Sequence, residues 1–240
     1  MHLPRTRRPG SVVDQPGRYP RPVPLSIPLA DNELLIFRHG QSTWNAERRW
    51  QGQANPPLSP HGRDEAAEAA HILHRRGFLS SPIFSSDLDR AAETARALAE
   101  VVSGEVHLDE RLRERHAGEW QGFTHEEIEA RWPGWLGDRM RPEGFESDDS
   151  IRARVFAALS EIHASGTRVV VSHGGVMRLI ARSYGDENLI PRNLDGIRIV
   201  WPPEDGATIQ LVRTLTHADI GMEVGKPQAP AGDAADTDRV

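Results

Sequence analysis

Two apolar segments of the chain end in a His-Gly pair, and residues that favour a helix follow each of them. Residues 33–37 predict a buried strand that ends at Arg38-His39-Gly40, and the β-branched run 168–172 predicts another that ends at His173-Gly174-Gly175. Elsewhere, apolar runs alternate with helical patterns, which is typical of an α/β fold. Because ligands bind beyond the carboxyl ends of strands in open α/β sheets, both His-Gly pairs mark a candidate site.

Capping signals and apolar periodicity predict the remaining elements. Ser59 caps a helix that Gly77 closes, and a capping box of Thr124 and Glu127 opens another. Further helices are predicted at about 87–102, 147–164 and 174–184, and strands at 82–85, 106–108, 197–201 and 207–215.

Composition limits the chemistry that the chain can perform. Cysteine is absent, which excludes disulfides, Cys-ligated zinc, iron–sulfur clusters and thiolate nucleophiles. The cations are 28 arginines and Lys226, and planar guanidinium groups suit carboxylates and phosphates. The sequence has no run of about 18 apolar residues and no secretory signal, so we expect a cytoplasmic protein without membrane contact.

Charge and composition divide the chain into two tails and a middle. Residues 1–30 form a Pro/Arg-rich arm of net charge +4, and residues 222–240 form a Pro/Ala/Gly/Asp-rich tail of net charge −2; both are predicted to be disordered. The folded domain is predicted at 31–221, with a net charge of −8, so no broad basic surface for nucleic acid is expected. The arm could contact an acidic partner, although a solvated extension is the simpler interpretation.

Four predicted elements each bring one phosphate-binding or proton-transferring side chain towards the sheet edge. A single Arg-His-Gly tripeptide is a weak signal, because a structural histidine beside a surface arginine would look the same. Here His173 repeats the arrangement of His39 on a second strand. Arg90 starts the helix after the strand at 82–85, and Glu114 follows the strand at 106–108.

Four sequence blocks resemble the histidine phosphatase superfamily, the phosphoglycerate mutase-like proteins, and occur in the order of that family. The blocks are RHGQSTWN at 38–45, SSDLDRAAETA at 85–95, LRERHAGEWQG at 112–122 and VSHGG at 171–175. The resemblance spans roughly 34–215, and four ordered motifs are a specific signal. It implies an α/β three-layer sandwich with a mostly parallel central sheet flanked by helices, and a small helical cap inserted at about 115–147.

The resemblance also implies a phosphohistidine mechanism that needs neither a metal nor a cofactor. His39 is the implied nucleophile, since a neutral imidazole can attack phosphorus and hold the phosphoryl group. Arg38, Arg90 and His173 would surround the phosphoryl oxygens in place of magnesium. Glu114 would protonate the leaving oxygen and then deprotonate the attacking water. Contacts to substrate or phosphate are implied for Asn45, Gln51, Gly52 and Gly174.

Other side chains compete for these roles. Glu119 and Glu126 are carboxylates near Glu114, but we expect the first in a turn and the second in the first turn of a capped helix, where acids are common. His71 and His74 could share a helix face and bind a metal, although no third ligand accompanies them.

The sequence favours water over a substrate hydroxyl as the final phosphoryl acceptor. Mutases of the family carry a tyrosine, a lysine and an arginine pair where this chain has Ala117, His125 and Arg141-Pro142. Residues 141–147 instead resemble a Pro-Gly-Gly-Glu-Ser stretch of sugar-phosphate phosphatases, from which Phe145 departs. Arg131, Arg139 and Arg141 could bind an acidic phosphoester or form a solvated helix end.

The expected activity is therefore hydrolysis of a small-molecule sugar or carboxylic acid phosphoester. The blocks at 112–125 are similar to those of actinobacterial phosphatases, including those acting on glucosyl-3-phosphoglycerate, which is a candidate substrate. A 2,3-bisphosphoglycerate-dependent mutase is the alternative, and an inactive phosphate- or partner-binding module is a third interpretation. The sequence leaves a homodimer open.

Overall fold

A six-stranded sheet lies at the centre of the computed structural model, which describes residues 30–75, 77, 82–166, 169–203 and 209–212. The strand order is β3-β2-β4-β1-β5-β6; the first four strands are mutually parallel, whereas β5 pairs antiparallel with β1 and β6. This arrangement confirms the mostly parallel sheet. The strands are β1 (Glu33–Arg38), β2 (Ile83–Ser85), β3 (Val106–Leu108), β4 (Val169–Ser172), β5 (Gly196–Val200) and β6 (Gln210–Val212).

The helices begin at the predicted caps in most places. Ser59 Oγ accepts from the backbone N–H of Gly62 at 2.9 Å, and both bonds of the Thr124–Glu127 capping box are present. The α-helices are α1 (Thr43–Ala46), α2 (Pro60–Arg75), α3 (Asp89–Glu100), α4 (His125–Arg131), α5 (Asp148–Ala164) and α6 (Gly174–Ser183), with 3₁₀ turns at Glu110–Leu112 and Gly118–Trp120.

Two elements differ from the sequence prediction. The helix after β1 is the single turn α1, because the chain leaves it through Arg48, whose φ of 57° lies in the left-handed region. The helix predicted from 87 starts two residues later, at Asp89. The predicted arm at 1–30 and tail at 222–240 lie almost wholly outside the described residues, as do parts of the strand predicted at 207–215.

Helices cover both faces of the sheet and create its two cores. Along β1, Leu34 and Ile36 point to the face packed by α5 and α6, whereas Leu35 and Phe37 point to the face packed by α2 and α3. All four side chains are at most 1% exposed. The sheet therefore lies between two helical layers, which confirms the three-layer sandwich.

A third apolar cluster joins the loop after α1 to the chain segment around α4. It consists of Trp50, Ala117, Trp120 and Ile128, with further aromatic side chains packed around it. Trp120 is fully buried and meets Trp50 edge to face, with 5.2 Å between ring centroids. These contacts hold α4 and its flanking turns as a small layer beside the carboxyl end of the sheet.

Among the described helices, none is both long and apolar enough to cross a bilayer.

Candidate active site

The two His-Gly pairs meet at the carboxyl edge of the sheet. β1 and β4 are parallel neighbours in which Arg38 pairs with Ser172, so the next residue of each strand lies at the same level. These residues are His39 and His173, whose ring centroids are 5.1 Å apart. Both side chains are at most 1% exposed. Strand pairing thus builds the centre of the candidate site.

Hydrogen bonds define the tautomer of His39. Its Nδ1 lies 2.6 Å from the carbonyl oxygen of Gly40, which can only accept, so Nδ1 carries the proton. Its Nε2 accepts from Nε of Arg90 at 3.3 Å. Burial, followed by the positive charges of Arg90 and Arg38, lowers the pKa of His39 well below its usual value. The ring is therefore neutral, with the Nε2 lone pair facing a guanidinium group.

Arg90 is held by the loop that follows α1. Its side chain is fully buried, and its two terminal nitrogens donate to the carbonyl oxygens of Gly52 and Ala54, each at 2.8 Å. The φ of Gly52 is +50°, and a Cβ there would lie 2.7 Å from the backbone nitrogen of Ala117, so the position requires glycine. The carbonyl oxygen of Gly52 therefore positions the guanidinium group of Arg90.

Arg38 and the backbone of His39 are held by the segment between α6 and β5. Nη1 of Arg38 donates to the carbonyl oxygen of Pro191 at 2.8 Å, and the side-chain amide of Asn193 donates to the carbonyl oxygen of His39 at 2.9 Å. The sequence alone does not indicate Pro191 or Asn193 as part of the site. No local signal pointed to them, because each lies more than 150 residues from its partner.

His173 differs from His39 in its hydrogen bonding. It is the N-cap of α6, and neither ring nitrogen has a hydrogen-bond partner among the described residues. Burial, followed by the charge of Arg90, lowers the pKa of His173 well below its usual value. A neutral imidazole carries one N–H donor and one acceptor nitrogen. The site therefore has an N–H group available to a ligand oxygen.

Glu114 lies where the chain passes the N-terminus of α6. One carboxylate oxygen accepts from the backbone N–H of Arg115 at 2.7 Å and the other from that of Gly175 at 2.8 Å. A Cβ at Gly175 would overlap this carboxylate, so the approach depends on glycine. The competing carboxylates do not share this position: Glu119 is exposed, and Glu126 lies in the first turn of α4.

Arg154 of α5 supports the segment that carries Glu114. Its guanidinium donates to the carbonyl oxygens of Arg111, Arg113 and Glu114 at 2.6–2.9 Å and forms an ion pair with Glu146 at 2.7 Å. The sequence alone does not indicate this role of Arg154. The periodicity of α5 indicated only a helix, with no signal for which chain segment its arginines would contact.

The predicted substrate contacts surround the same centre. Oδ1 of Asn45 accepts from the backbone N–H of Ser42 at 3.1 Å, and Oε1 of Gln51 accepts from Ser42 Oγ at 2.7 Å. Nε2 of Gln51 is buried without a hydrogen-bond partner among the described residues. Gly174 opens α6 beside His173. Gln51 can therefore still donate to a ligand.

No metal site is built from the described residues, where no three His, Asp or Glu side chains converge. His71 and His74, the pair that could share a helix face, are both exposed on α2. The positive charge at the strand ends comes from Arg38 and Arg90 instead. This arrangement suits a tetrahedral oxyanion.

Comparisons with known proteins identify a family and several relatives of the chain. A model of the histidine phosphatase superfamily (branch 1) matches residues 34–194. A glucosyl-3-phosphoglycerate phosphatase of Mycolicibacterium vanbaalenii is 40% identical over 159 residues, which are 60% of this chain and 70% of that protein. The phosphoglycerate mutase-like protein 4 of Arabidopsis thaliana is 38% identical over 201 residues, which are 78% of this chain and 87% of that protein.

A solved structure shares the fold. The mycobacterial glucosyl-3-phosphoglycerate phosphatase in complex with VO3 superposes with a TM-score of 0.64 at 33% sequence identity. The alignment covers 75% of this chain and 97% of that one.

Proposed function

We propose that the chain, which belongs to branch 1 of the histidine phosphatase superfamily, hydrolyses small-molecule phosphoric monoesters through a phosphohistidine on Nε2 of His39. The observation that carries the proposal is the 2.6 Å contact between Nδ1 of this ring and the carbonyl oxygen of Gly40. It places the proton on Nδ1, so the lone pair that can attack phosphorus is on Nε2, which contacts Arg90.

The first step transfers the phosphoryl group to the protein. Nε2 of His39 forms a bond to phosphorus while the bond from phosphorus to the ester oxygen breaks. Glu114, protonated at this stage, gives its proton to the leaving oxygen, so that an alcohol departs. Arg38, Arg90 and an N–H of His173 stabilise the charge on the three non-bridging oxygens. The guanidinium groups supply the charge for which other phosphoryl transfer enzymes use magnesium, so we propose that no metal is needed.

The second step returns the enzyme to its starting state. Water attacks phosphorus, the P–N bond to His39 breaks, and Glu114 accepts the proton that the water loses. Inorganic phosphate is released and Glu114 is protonated again. Because the pKa of His39 is lowered, the free nitrogen stays unprotonated and is ready for the next substrate.

Glucosyl-3-phosphoglycerate is the first substrate to assay, since it names the activity of two of the similar proteins. A phosphoglycerate mutase is the second candidate, because the Arabidopsis relative is named mutase-like. Ala117, which stands at the position of a mutase tyrosine, packs in the buried aromatic cluster and offers no polar group to a second substrate.

The test is an assay of the purified protein in EDTA with p-nitrophenyl phosphate, glucosyl-3-phosphoglycerate, and 3-phosphoglycerate plus 2,3-bisphosphoglycerate. We expect hydrolysis in EDTA, an acid-labile phosphoenzyme, and a loss of at least about 10⁴-fold in His39→Ala. His71→Ala, a histidine of the exposed face of α2, is the matched control and should keep full activity. Equal activity of wild type and His39→Ala would overturn the proposal, and mutase turnover above hydrolysis would favour the second candidate.

We also infer a cytoplasmic location and small-molecule partners, without nucleic acid or membrane. The net charge of −8 over residues 31–221 opposes binding to phosphate backbones. Cell fractionation and a DNA-binding assay at low salt test these points. Sedimentation of the full chain tests whether it forms a homodimer.

A further inference from the structure

Arg154 of α5 uses every hydrogen-bond donor of its guanidinium group, which has five N–H donors in one plane. Nε and Nη2 donate to the two carboxylate oxygens of Glu146 at 2.8 and 2.7 Å. Nη1 donates to the carbonyl oxygens of Arg111 and Arg113 at 2.9 and 2.6 Å, and Nη2 also donates to that of Glu114 at 2.9 Å. These contacts within the described residues occupy all five donors, so Arg154 acts on the protein rather than on a substrate.

The four consecutive carbonyl groups of residues 111–114 receive hydrogen bonds from side chains. The last two of these residues lie outside the helices and strands, so regular structure does not supply their donors. Arg154 binds the first, third and fourth carbonyl oxygens, and Ser172 Oγ donates to the second at 2.8 Å. Nε2 of Gln53 also donates to the fourth, at 3.1 Å. The backbone conformation at Glu114 therefore depends chiefly on Arg154.

The carboxylate of Glu114 is oriented by backbone groups on both sides of it. One oxygen accepts from the N–H of Arg115, the next residue, and the other accepts from the N–H of Gly175. A shift of the backbone at Glu114 would move the carboxylate relative to Gly175 and to the leaving oxygen of a substrate. A general acid must lie within about 2.6–3.2 Å of the atom that it protonates, and a misplacement of about 1 Å can lower a rate 10²-fold.

Glu146 fixes the orientation of Arg154. The two side chains are only 19% exposed for the arginine and 11% for the glutamate, so their ion pair is largely enclosed. The carboxylate of Glu146 is itself held by Ser150 Oγ at 3.0 Å and by the backbone N–H of His116 at 3.2 Å. A bidentate pair of this kind sets the plane of the guanidinium group. The remaining donors of Arg154 then point at the carbonyl groups of residues 111–114.

We propose that Arg154 is a positioning residue for proton transfer: oriented by Glu146, it holds the backbone of Glu114 so that the carboxylate faces the leaving oxygen. The inference rests on the proposed phosphatase function and adds a residue on which its proton transfer depends. Because Arg154 acts through Glu114, its loss impairs the steps in which Glu114 carries a proton and leaves the attack by His39 in place.

The test compares two substrates whose leaving oxygens differ in their need for a proton. The alcohol of glycerol 3-phosphate leaves poorly without one, whereas p-nitrophenolate departs readily. We expect Arg154→Met to lower the rate of the first step about 10²-fold with glycerol 3-phosphate and less than about fivefold with p-nitrophenyl phosphate. Single-turnover measurement of the released alcohol or phenolate isolates this step, since Glu114 also acts in the second. Equal losses with both substrates, or no loss, would overturn the inference.

A double variant separates positioning from general damage to the fold. Glu114→Gln has no carboxylic acid proton to transfer. In that background, Arg154→Met should change the rate with glycerol 3-phosphate by less than about twofold, because both substitutions remove the same contribution. If Arg154→Met lowered the rate of Glu114→Gln as strongly as that of wild type, Arg154 would not act through Glu114.

Arg154→Lys keeps the inference testable if Arg154→Met does not fold, which the melting temperature shows. Lysine keeps the positive charge beside Glu146, but its three donors do not lie in a plane. We expect a loss of about 10-fold with glycerol 3-phosphate and almost none with p-nitrophenyl phosphate. Full activity of Arg154→Lys with both substrates would contradict the role of the planar group.

Arg152→Met is the matched control. Arg152 is a half-buried arginine of the same helix, and its Nη1 donates to Ser183 Oγ at 2.8 Å. We expect this variant to keep the rates with both substrates within about twofold of wild type. Hydrolysis that depends on His39 but shows no substrate difference in Arg154→Met would overturn this inference alone. Absence of His39-dependent hydrolysis of both substrates in wild type would overturn the proposed function as well.

Discussion

The ends of β1 and β4 look alike in sequence and differ in what surrounds them. Each strand delivers His-Gly to the same edge of the sheet, and each histidine is almost completely buried. His39 has both ring nitrogens engaged, one by Gly40 and one by Arg90. His173 has neither engaged by a described residue.

The difference teaches that a shared local pattern does not define a role. Arg90 of α3 donates a hydrogen bond to Nε2 of His39. At the other strand end, α6 begins at His173, and the backbone N–H of Gly175 donates to the Glu114 carboxylate. The surroundings of His39 support its proposed attack on phosphorus. The end of β4 fits the proposed donor to a phosphoryl oxygen and holds the carboxylate that we propose transfers the proton.

The largest expected effect separates the two histidines directly. We expect His39→Gln to lower kcat at least about 10⁴-fold and to abolish the phosphoenzyme, because it removes the nucleophile. We expect His173→Gln to lower kcat about 10²–10³-fold, as the loss of one oxyanion donor does, while phosphoenzyme still forms. Rapid quench with radiolabelled substrate measures both. If the phosphoenzyme survived in His39→Gln and vanished in His173→Gln, the assignment would be reversed.

The next effect concerns the end of β4 alone. Gly175→Ala places a methyl group against the Glu114 carboxylate and should lower kcat for glycerol 3-phosphate about 10²-fold, since general acid catalysis is lost. The loss should be smaller for p-nitrophenyl phosphate, whose leaving group needs less protonation. Gly137→Ala is the control, because the added Cβ meets its nearest atom at 3.6 Å. Equal losses for both substrates would show a general disturbance of the site.

The smallest effect tests a property that the two histidines share. Their pKa values are lowered in the folded protein, so below about pH 6.5 the unfolded chain binds more protons than the folded one. The free energy of unfolding should therefore decrease as the pH is lowered below about 6.5. The decrease is up to about 1.4 kcal/mol per pH unit for each histidine, and it ends at the pKa of that histidine in the folded protein.

Urea unfolding at pH 7 and pH 5.5 measures this loss. His173→Gln should lose less stability than wild type between these pH values, and exposed His71→Gln should match wild type. An identical pH dependence in wild type and His173→Gln would mean that His173 is protonated as readily in the folded as in the unfolded protein.

Much of the fold could be predicted from local signals. The Thr124–Glu127 capping box and the Ser59 cap lie where the sequence placed them, because each depends on residues within one turn. The ordered blocks indicated the family, and the family match confirms it. The length of α1 could not be predicted, since it depends on the left-handed conformation of Arg48 and on contacts with the following loop.

The sequence by itself determined the strand-His-Gly-helix pattern, the helix caps and the residue types from which a phosphatase can be built. Only the tertiary structure decided which groups contact the site residues: Arg90 at Nε2 of His39, Asn193 at the backbone carbonyl of His39, and Gly175 at the Glu114 carboxylate. The hydrogen bonds concerned join residues 51 to 154 positions apart. Local propensity acts over a few residues, whereas such contacts exist only after the packing of the whole sheet has brought distant segments together.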